Sequence, residues 1–586
     1  MRKHIKKNTA PPSDAASGPI NQNGSIKIPD SGFVICILVI AFALRAIHLF
    51  TINGSAPFTI LSLDDSYYDA WALQISKGDI LGKEVFYGLP LYPYFLGFVY
   101  FIFGHSILIA RLAQALFDSI TCALLYTLGK NVFNRTTGVI ASFILIFYSM
   151  SFYLSGFLTS SSLSTFLNLA LLSILLSVYK KPSVIKWVWV GLLAGLTSLG
   201  NASVLLFVPC IIVWAFMAFK DSARIKVALR MSAMVVALLS VISITAVRNY
   251  VVGRDFVPVT YHSGITFYAG NNPDSIGAFY LPQNLRGDVL KTKAISRAIA
   301  EKTLGRALKP SEVSKFWFDK AFDFIRSSPV SYAKLIVKKI YFFWWVREIP
   351  EEVPLSAVKK YSPILRLPLF GFALISPLSI VGLALSYRRK RPDIQLLYFF
   401  VGSALLSTAL YFVNSRYRII SEPILILFAS ALLVWYYQKV RAHKYLYAGL
   451  ALIASVVLFF ILDINLAGYR KEVEYNKLGI SYASQGRAAQ AEEAFKKAIA
   501  INPANPLSHY NLGTFYLSQK KYAEAIAKFK EAIRLNPEYT DAHNNIGTVY
   551  NIIGQRKLAI DHFEKSLKAN PYQENIRRAY EDLKNK

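Results

Sequence analysis

Up to about residue 465 the chain alternates long apolar runs with short polar joins; beyond it the apolar positions recur at the spacing of short amphipathic helices. Eleven runs have roughly the length needed to cross a hydrocarbon layer ~30 Å thick. They lie near 33–51, 107–129, 138–155, 157–179, 187–200, 202–219, 227–247, 364–386, 394–413, 419–438 and 446–464. Each predicts a membrane helix. Two further apolar stretches are read differently. SYAKLIVKKIYFFWWV (331–346) carries Lys334, Lys338 and Lys339 on turns that would sit in lipid, so it predicts an amphipathic helix on the membrane surface. YPYFLGFVYFIFG (92–104) is read the same way, with a deeper dip into the membrane as the alternative. Residues 1–32 form a polar tail rich in Pro, Ser, Gly and Asn, without the shape of a signal peptide, and predict disorder.

The C-terminal period is 34 residues: Asn-Pro recurs at 502–503, 536–537 and 570–571. In the same register fall Gly479/Gly513/Gly547, Tyr482/Tyr516/Tyr550, Ala491/Ala525/Ala559 and Phe495/Phe529/Phe563. Small residues where two helices touch, large ones between units and Pro where the second helix stops resemble the tetratricopeptide repeat. Three units with a polar last helix (about 573–584) predict an α-solenoid over 472–586. The resemblance implies a concave face that binds protein segments; helices that merely pack on the membrane part are the plainer reading.

Charge gives the topology. The 586 residues are 54% hydrophobic and only 17% charged, with a net charge of +30 from 65 basic against 35 acidic side chains. That excess sits in short joins between apolar runs, as in membrane proteins with basic cytoplasmic loops, rather than on a nucleic-acid-binding face. With the tail carrying Arg2, Lys3, Lys6 and Lys7 on the cytoplasmic side, the basic joins at Lys130/Arg135, Lys180/Lys181/Lys186, Lys220/Arg224/Lys226/Arg230, 388–391 and Lys439/Arg441/Lys444 all fall there too. The loops 52–106 and 248–363 and everything after 465 then face the other side. Cys36, Cys122 and Cys210 all lie in apolar runs, which argues against disulfides or a thiolate metal site.

Two features of that outer side break the pattern. LDDSYYDAWA, beginning at Leu63, sets Asp64 and Asp65 ahead of Tyr67, Trp71 and Ile75 at four-residue spacing. A capping carboxylate and a solvated neighbour are one reading. NSRYRIISEP places Arg416 and Arg418 where short joins otherwise lack basic residues, with Arg248 at the outer end of the seventh run. Guanidiniums at headgroup level suit a lipid-linked phosphate, although ordinary headgroup binding would use them too. Together, a carboxylate base for an acceptor hydroxyl and cations for a leaving phosphate fit transfer of a sugar from a membrane polyprenol. His262 and Asn271 are candidates for holding sugar hydroxyls, with a structural turn as the alternative, since GNNPDSIG is rich in turn formers. Asp118, inside the second run, is a candidate for pairing or for function. No metal-ligating cluster, phosphate-cradling glycine loop or Ser-His-Asp set stands out, and no cofactor is assigned.

The acidic pair in the first outer loop, YPYFLG and RLAQALFDSITCALLYTLGKNVF resemble the GT-C superfamily of polyprenyl-phosphate-sugar glycosyltransferases. The branch they resemble most holds the bacterial relatives of protein O-mannosyltransferases and the lipid A aminoarabinose transferase. RNYVVGRDFVPVTYHSGITFYAGNNPDSIGAF (248–279), WWVREIPEE (344–352) and RYRIISEPILILFASALL (416–433) look like segments of that branch as well, so the resemblance spans roughly 33–465. It implies an all-α, multi-span membrane glycosyltransferase of the bacterial plasma membrane with its site outside. Asp64 falls where the family has its base, Asp65 where Glu is commoner, and Arg416, Tyr417 and Arg418 on its basic-aromatic-basic element beside the donor phosphate. Many relatives carry an acid near the top of the fourth span; here FLTSSSLSTFL offers only the hydroxyls Ser160 to Ser162, with Glu348 or Asp69 as substitutes. Part of the superfamily uses a divalent metal, and the sequence leaves that open. The expected partners are a polyprenyl-phosphate sugar, membrane lipid, and an acceptor or partner protein on the repeats. A glycolipid acceptor, or a non-catalytic scaffold or transporter, are the alternatives.

Overall fold

The structure is a computed structural model that describes residues 30–585 apart from 56–57, 59–60, 62, 280, 283–284, 286–288, 350–353, 388–390, 465–470, 485 and 570–572. The predicted tail up to residue 29, the basic residues 388–390 and the third Asn-Pro pair at 570–571 fall outside these. Among the described residues the chain is helical, with two isolated bridges and no strands. The first helix begins at Asp30, inside the segment expected to be disordered.

Among the described residues, seven helices are long and apolar enough to cross a membrane: Asp30–Ile52, Ile107–Val132, Ser161–Lys180, Arg224–Gly253, Pro392–Leu410, Glu422–Arg441 and Tyr445–Asp463. The other four predicted spans fall on shorter apolar helices, Arg135–Ile146, Val184–Gly200, Val204–Ala218 and Phe372–Tyr387. Two of those runs are interrupted. The run 138–155 breaks at Phe147 and Tyr148, and 364–386 is broken over 367–371, between the short helix Pro363–Arg366 and Phe372–Tyr387. The breaks answer each other: Phe370 N–H donates to Phe147 O at 3.0 Å and Ser149 N–H to Phe370 O at 2.9 Å. Backbone freed from a helix within an apolar layer needs such partners, which are here inside the protein.

Close helix packing follows from glycine. A Cβ at Gly191, on Val184–Gly200, would lie 2.1 Å from the Met234 carbonyl oxygen on Arg224–Gly253, so only glycine permits this approach. The segment 331–346 is helical, as Pro329–Trp344. Its Lys339 is fully buried, however, with Nζ donating to Asn271 Oδ1 at 2.8 Å, because the helix packs on the outer loop and on Pro392–Leu410. Burial lowers this ammonium's pKa to about 7.

Six helices from Lys471–Ser484 to Arg556–Ala569 form three hairpins, closed by Glu574–Asn585. A Cβ at Gly479, Gly513 or Gly547 would stand 2.5, 2.7 or 2.6 Å from the ring of Phe495, Phe529 or Phe563. The repeat therefore places its glycine against its own phenylalanine in every unit, and these rings build a core separate from that of the membrane part. Lys291 in the outer loop reaches Asp541 of the third hairpin at 3.2 Å, and Lys360 contacts the Tyr482 hydroxyl.

Candidate active site

A cavity of about 220 Å³ lies where the two outer loops meet the ends of the membrane helices. The helix Leu63–Ser76 supplies Asp64, Tyr67 and Tyr68; the start of Ser161–Lys180 supplies Ser161 and Ser164; the second loop supplies His262 and Thr266. Arg416 and Tyr417 enter from the turn Ser415–Arg418. Across it the Arg416 guanidinium meets Asp64, Nη1 to Oδ2 at 2.5 Å, joining positions 352 residues apart. Asn414 caps the turn, its Oδ1 accepting the Tyr417 N–H at 2.8 Å, and the Tyr417 ring packs against Phe412 at 5.4 Å.

Asp64 and Asp65 sit in the first turn of their helix and part at about 100°, the angle between consecutive helical residues. Asp64 faces the cavity. Asp65 turns into the protein, 3% exposed. Burial pushes its carboxyl up to about 7, against the pull of Arg111 and of the Leu158 amide and with a further push from Asp64. Neither is the solvated carboxylate of the plain capping reading.

Of the three arginines expected at a donor phosphate, only Arg416 lines the cavity. Arg418 is 1% exposed and pairs with Glu348 and Glu422 beneath it. Arg248 lies over the Phe86 ring at 3.8 Å and donates to the carbonyls of Leu81 and Glu84 and to Asn249 Oδ1. Glu348 is held by Arg418 and Ser415, away from Asp64. Asp69 binds Tyr100 and His105. Asn271 is buried; its amide donates to Phe267 O and Leu410 O, a structural role. His262 does face the cavity, with Nδ1 3.1 Å from Thr266 Oγ1 and its ring 4.5 Å from that of Tyr87. Burial pulls its pKa down to about 4, with Asp64 opposing, so at neutral pH it is an uncharged imidazole. Asp118 lies in the membrane part with Ser162 at 3.1 Å and Arg45 at 3.8 Å.

Of the hydroxyl-bearing walls, the sequence singled out Ser160 to Ser162, of which Ser160 and Ser161 line the cavity, but not the phenols. Tyr67 and Tyr68 follow Asp64 by three and four residues, which puts all three on one helical face; the sequence drew notice to Tyr67 only for its four-residue spacing with Trp71 and Ile75. Burial raises the pKa of both phenols further above the ordinary range, so they are neutral hydrogen-bonding groups. Among the described residues no group of three His, Cys, Asp or Glu side chains is arranged to hold a metal.

Residues 89–247 match the model of the dolichyl-phosphate-mannose-protein mannosyltransferase family. Residues 476–540 and 521–574 match the tetratricopeptide repeat model. The membrane part is thus similar to GT-C glycosyltransferases, and the C-terminal part is a tetratricopeptide repeat solenoid. Among solved structures, the apo oligosaccharyltransferase of Archaeoglobus fulgidus aligns at 14% identity over 77% of this chain and 58% of its own, with a TM-score of 0.42. The same organism's enzyme AglB, in complex with an inhibitory peptide and a dolichol-phosphate, aligns at 14% identity over 78% and 59%, TM-score 0.38. The Arabidopsis OM64 TPR domain aligns at 18% identity over 19% of this chain and 93% of its own, TM-score 0.19. The chain thus spans under two thirds of the archaeal enzyme's length. No curated protein matches it.

Proposed function

We propose that the protein is a membrane glycosyltransferase that moves a sugar from a polyprenyl-phosphate carrier to an acceptor hydroxyl, with Asp64 as the base and Arg416 on the donor phosphate. The observation that carries this is the meeting of a carboxylate and a guanidinium across a hydroxyl-lined cavity. Without substrate the two groups neutralise each other. A donor phosphate takes the Arg416 donors, which frees Asp64 to accept from the acceptor's O–H. The acceptor oxygen gives its proton to Asp64 and bonds to the anomeric carbon. The bond from that carbon to the phosphate oxygen breaks, and polyprenyl phosphate leaves with the electron pair, its new negative charge lying beside Arg416. Tyr67, Tyr68 and His262 hold sugar hydroxyls, for which neutral donors and acceptors suit better than charges. Arg248 and Arg418 take no part in contacting the phosphate, and Asp65 takes no proton from the acceptor.

The basic joins of the sequence support an outer-face site, and the resemblance to bacterial relatives of protein O-mannosyltransferases supports a bacterial plasma membrane. The solenoid supports a protein acceptor, or a partner that brings one, since such repeats bind protein segments. The test is transfer by the purified protein in lipid discs, supplied with polyprenyl-phosphate hexoses and membrane extracts and read by release of polyprenyl phosphate. Asp64→Asn lowers the rate by about 10²–10⁴-fold, the usual worth of a positioned base. Unchanged transfer by Asp64→Asn, or none by the wild type with any donor, overturns the reading.

A further inference from the structure

We propose that Arg418, Glu348 and Glu422 form a buried mount that fixes the turn Ser415–Arg418, and with it the angle at which Arg416 meets a phosphate. The inference rests on Arg416 as the phosphate contact. Arg418 is thereby a positioning residue, although its place two residues from Arg416 makes it look like a twin ligand.

Every nitrogen of the Arg418 guanidinium is occupied. Nε donates to Glu422 Oε1 at 2.9 Å, Nη2 to Glu348 Oε2 at 2.5 Å and Nη1 to the Trp345 carbonyl at 3.1 Å. The Phe372 ring covers it at 3.5 Å. A phosphate would have to break this set and expel the ring, whereas Arg416 stands in the cavity already.

The cluster grips the turn by a second route. Glu348 Oε2 accepts from Ser415 Oγ at 2.6 Å, and the same Oγ accepts the Ile349 N–H at 2.8 Å. Ser415 N–H in turn donates to Ile349 O at 3.1 Å. Just before the turn, Val413 N–H donates to Gly277 O at 3.1 Å. Both flanks of the approach are therefore stitched to the second outer loop, while Arg418 ties its end to the membrane helix that begins at Glu422. Glu348 Oε1 is buried without a hydrogen-bond partner. Such a cluster is a poor source of stability compared with apolar packing, and its use is to impose one geometry.

A double-mutant cycle tests this, with undecaprenyl phosphate as the probe and the full-length protein in detergent. Glu348→Gln keeps the shape of the side chain and weakens its hold on Arg418. In the wild-type background it weakens binding of the probe by about tenfold; in an Arg416→Ala background, where nothing is left to position, it changes binding less than about twofold. In transfer assays Glu348→Gln raises KM for the donor and leaves kcat within about threefold, a split that general loosening of the fold does not give. If Glu348→Gln does not fold, Ser415→Ala, which removes the Oγ joining Glu348 to the turn, replaces it with the same expectations. An equal loss in both backgrounds means that Arg418 binds the phosphate itself and overturns the mount, as does no loss in the wild-type background. Undiminished probe binding by Arg416→Ala alone overturns the phosphate assignment, and the mount falls with it.

Discussion

Asp64 and Asp65 have the same chemistry and opposite circumstances, because one helical step separates an open cavity from a packed interior. Asp65 predicts a pH effect on stability. Its folded pKa, about 7, lies above the ~4 of an exposed aspartate. Between those values the folded protein holds a proton that the unfolded chain releases, so this residue's stabilising share is complete below about pH 4 and is lost as pH rises towards 7. Asp65→Asn removes that dependence. Melting temperatures in detergent should therefore shift in favour of the variant from pH 5 to pH 7.5; a difference that stays flat or moves the other way contradicts the burial account. The sequence made the two acids and Arg416 legible as separate anomalies. It could not show that Asp64 and Arg416 touch, since 352 residues lie between them. Arg-Tyr-Arg looked like two equivalent ligands, yet in a helical turn residues two apart point about 200° from each other, one into the cavity and one into the core.

At the scale of elements, hydropathy located the membrane helices, since a run of apolar residues states its own burial in lipid or protein. It could not locate the breaks at 147–148 and 367–371, where the residues remain apolar and only the backbone departs from the helix. Lys339 shows the converse failure: its charge spoke for a wet surface, and tertiary packing covered it. The tight helix crossings are testable through glycine. Gly191→Val puts side-chain atoms against the Met234 carbonyl and should lower the melting temperature sharply, by about 1–3 kcal/mol or more of overpacking. At Gly402, inside Pro392–Leu410, an added Cβ meets nothing within 4 Å. Gly402→Ala should be neutral or stabilising by up to about 1 kcal/mol. Similar melting curves for the two variants would contradict the packing described for Val184–Gly200.

For the whole molecule, the repeat was the most legible part, because its period fixes both the helices and their contacts. The relation of solenoid to membrane part was not legible. The loop helix Val289–Leu304 turns Val289 and Thr292 to the cavity while Lys291, on the same helix, reaches Asp541 of the solenoid. An exposed pair of this kind is worth about 0–1 kcal/mol, too little to hold the cavity together. A chain ending at residue 470 should therefore bind polyprenyl phosphate within about twofold of the full protein and lose transfer to its protein acceptor. Loss of phosphate binding on truncation would mean that the solenoid helps to build the site.

The central claim is that Asp64 and Arg416 share one cavity on the outer side of the membrane. Its most direct test puts cysteines at 64 and 416 in a chain whose Cys36, Cys122 and Cys210 are replaced, and exposes separate samples of intact cells or oriented vesicles to a membrane-impermeant maleimide or to a short bifunctional thiol cross-linker. Both positions should label from the side opposite the basic joins, and they should cross-link to each other. Labelling from opposite sides, or no cross-link between two accessible cysteines, would contradict the account.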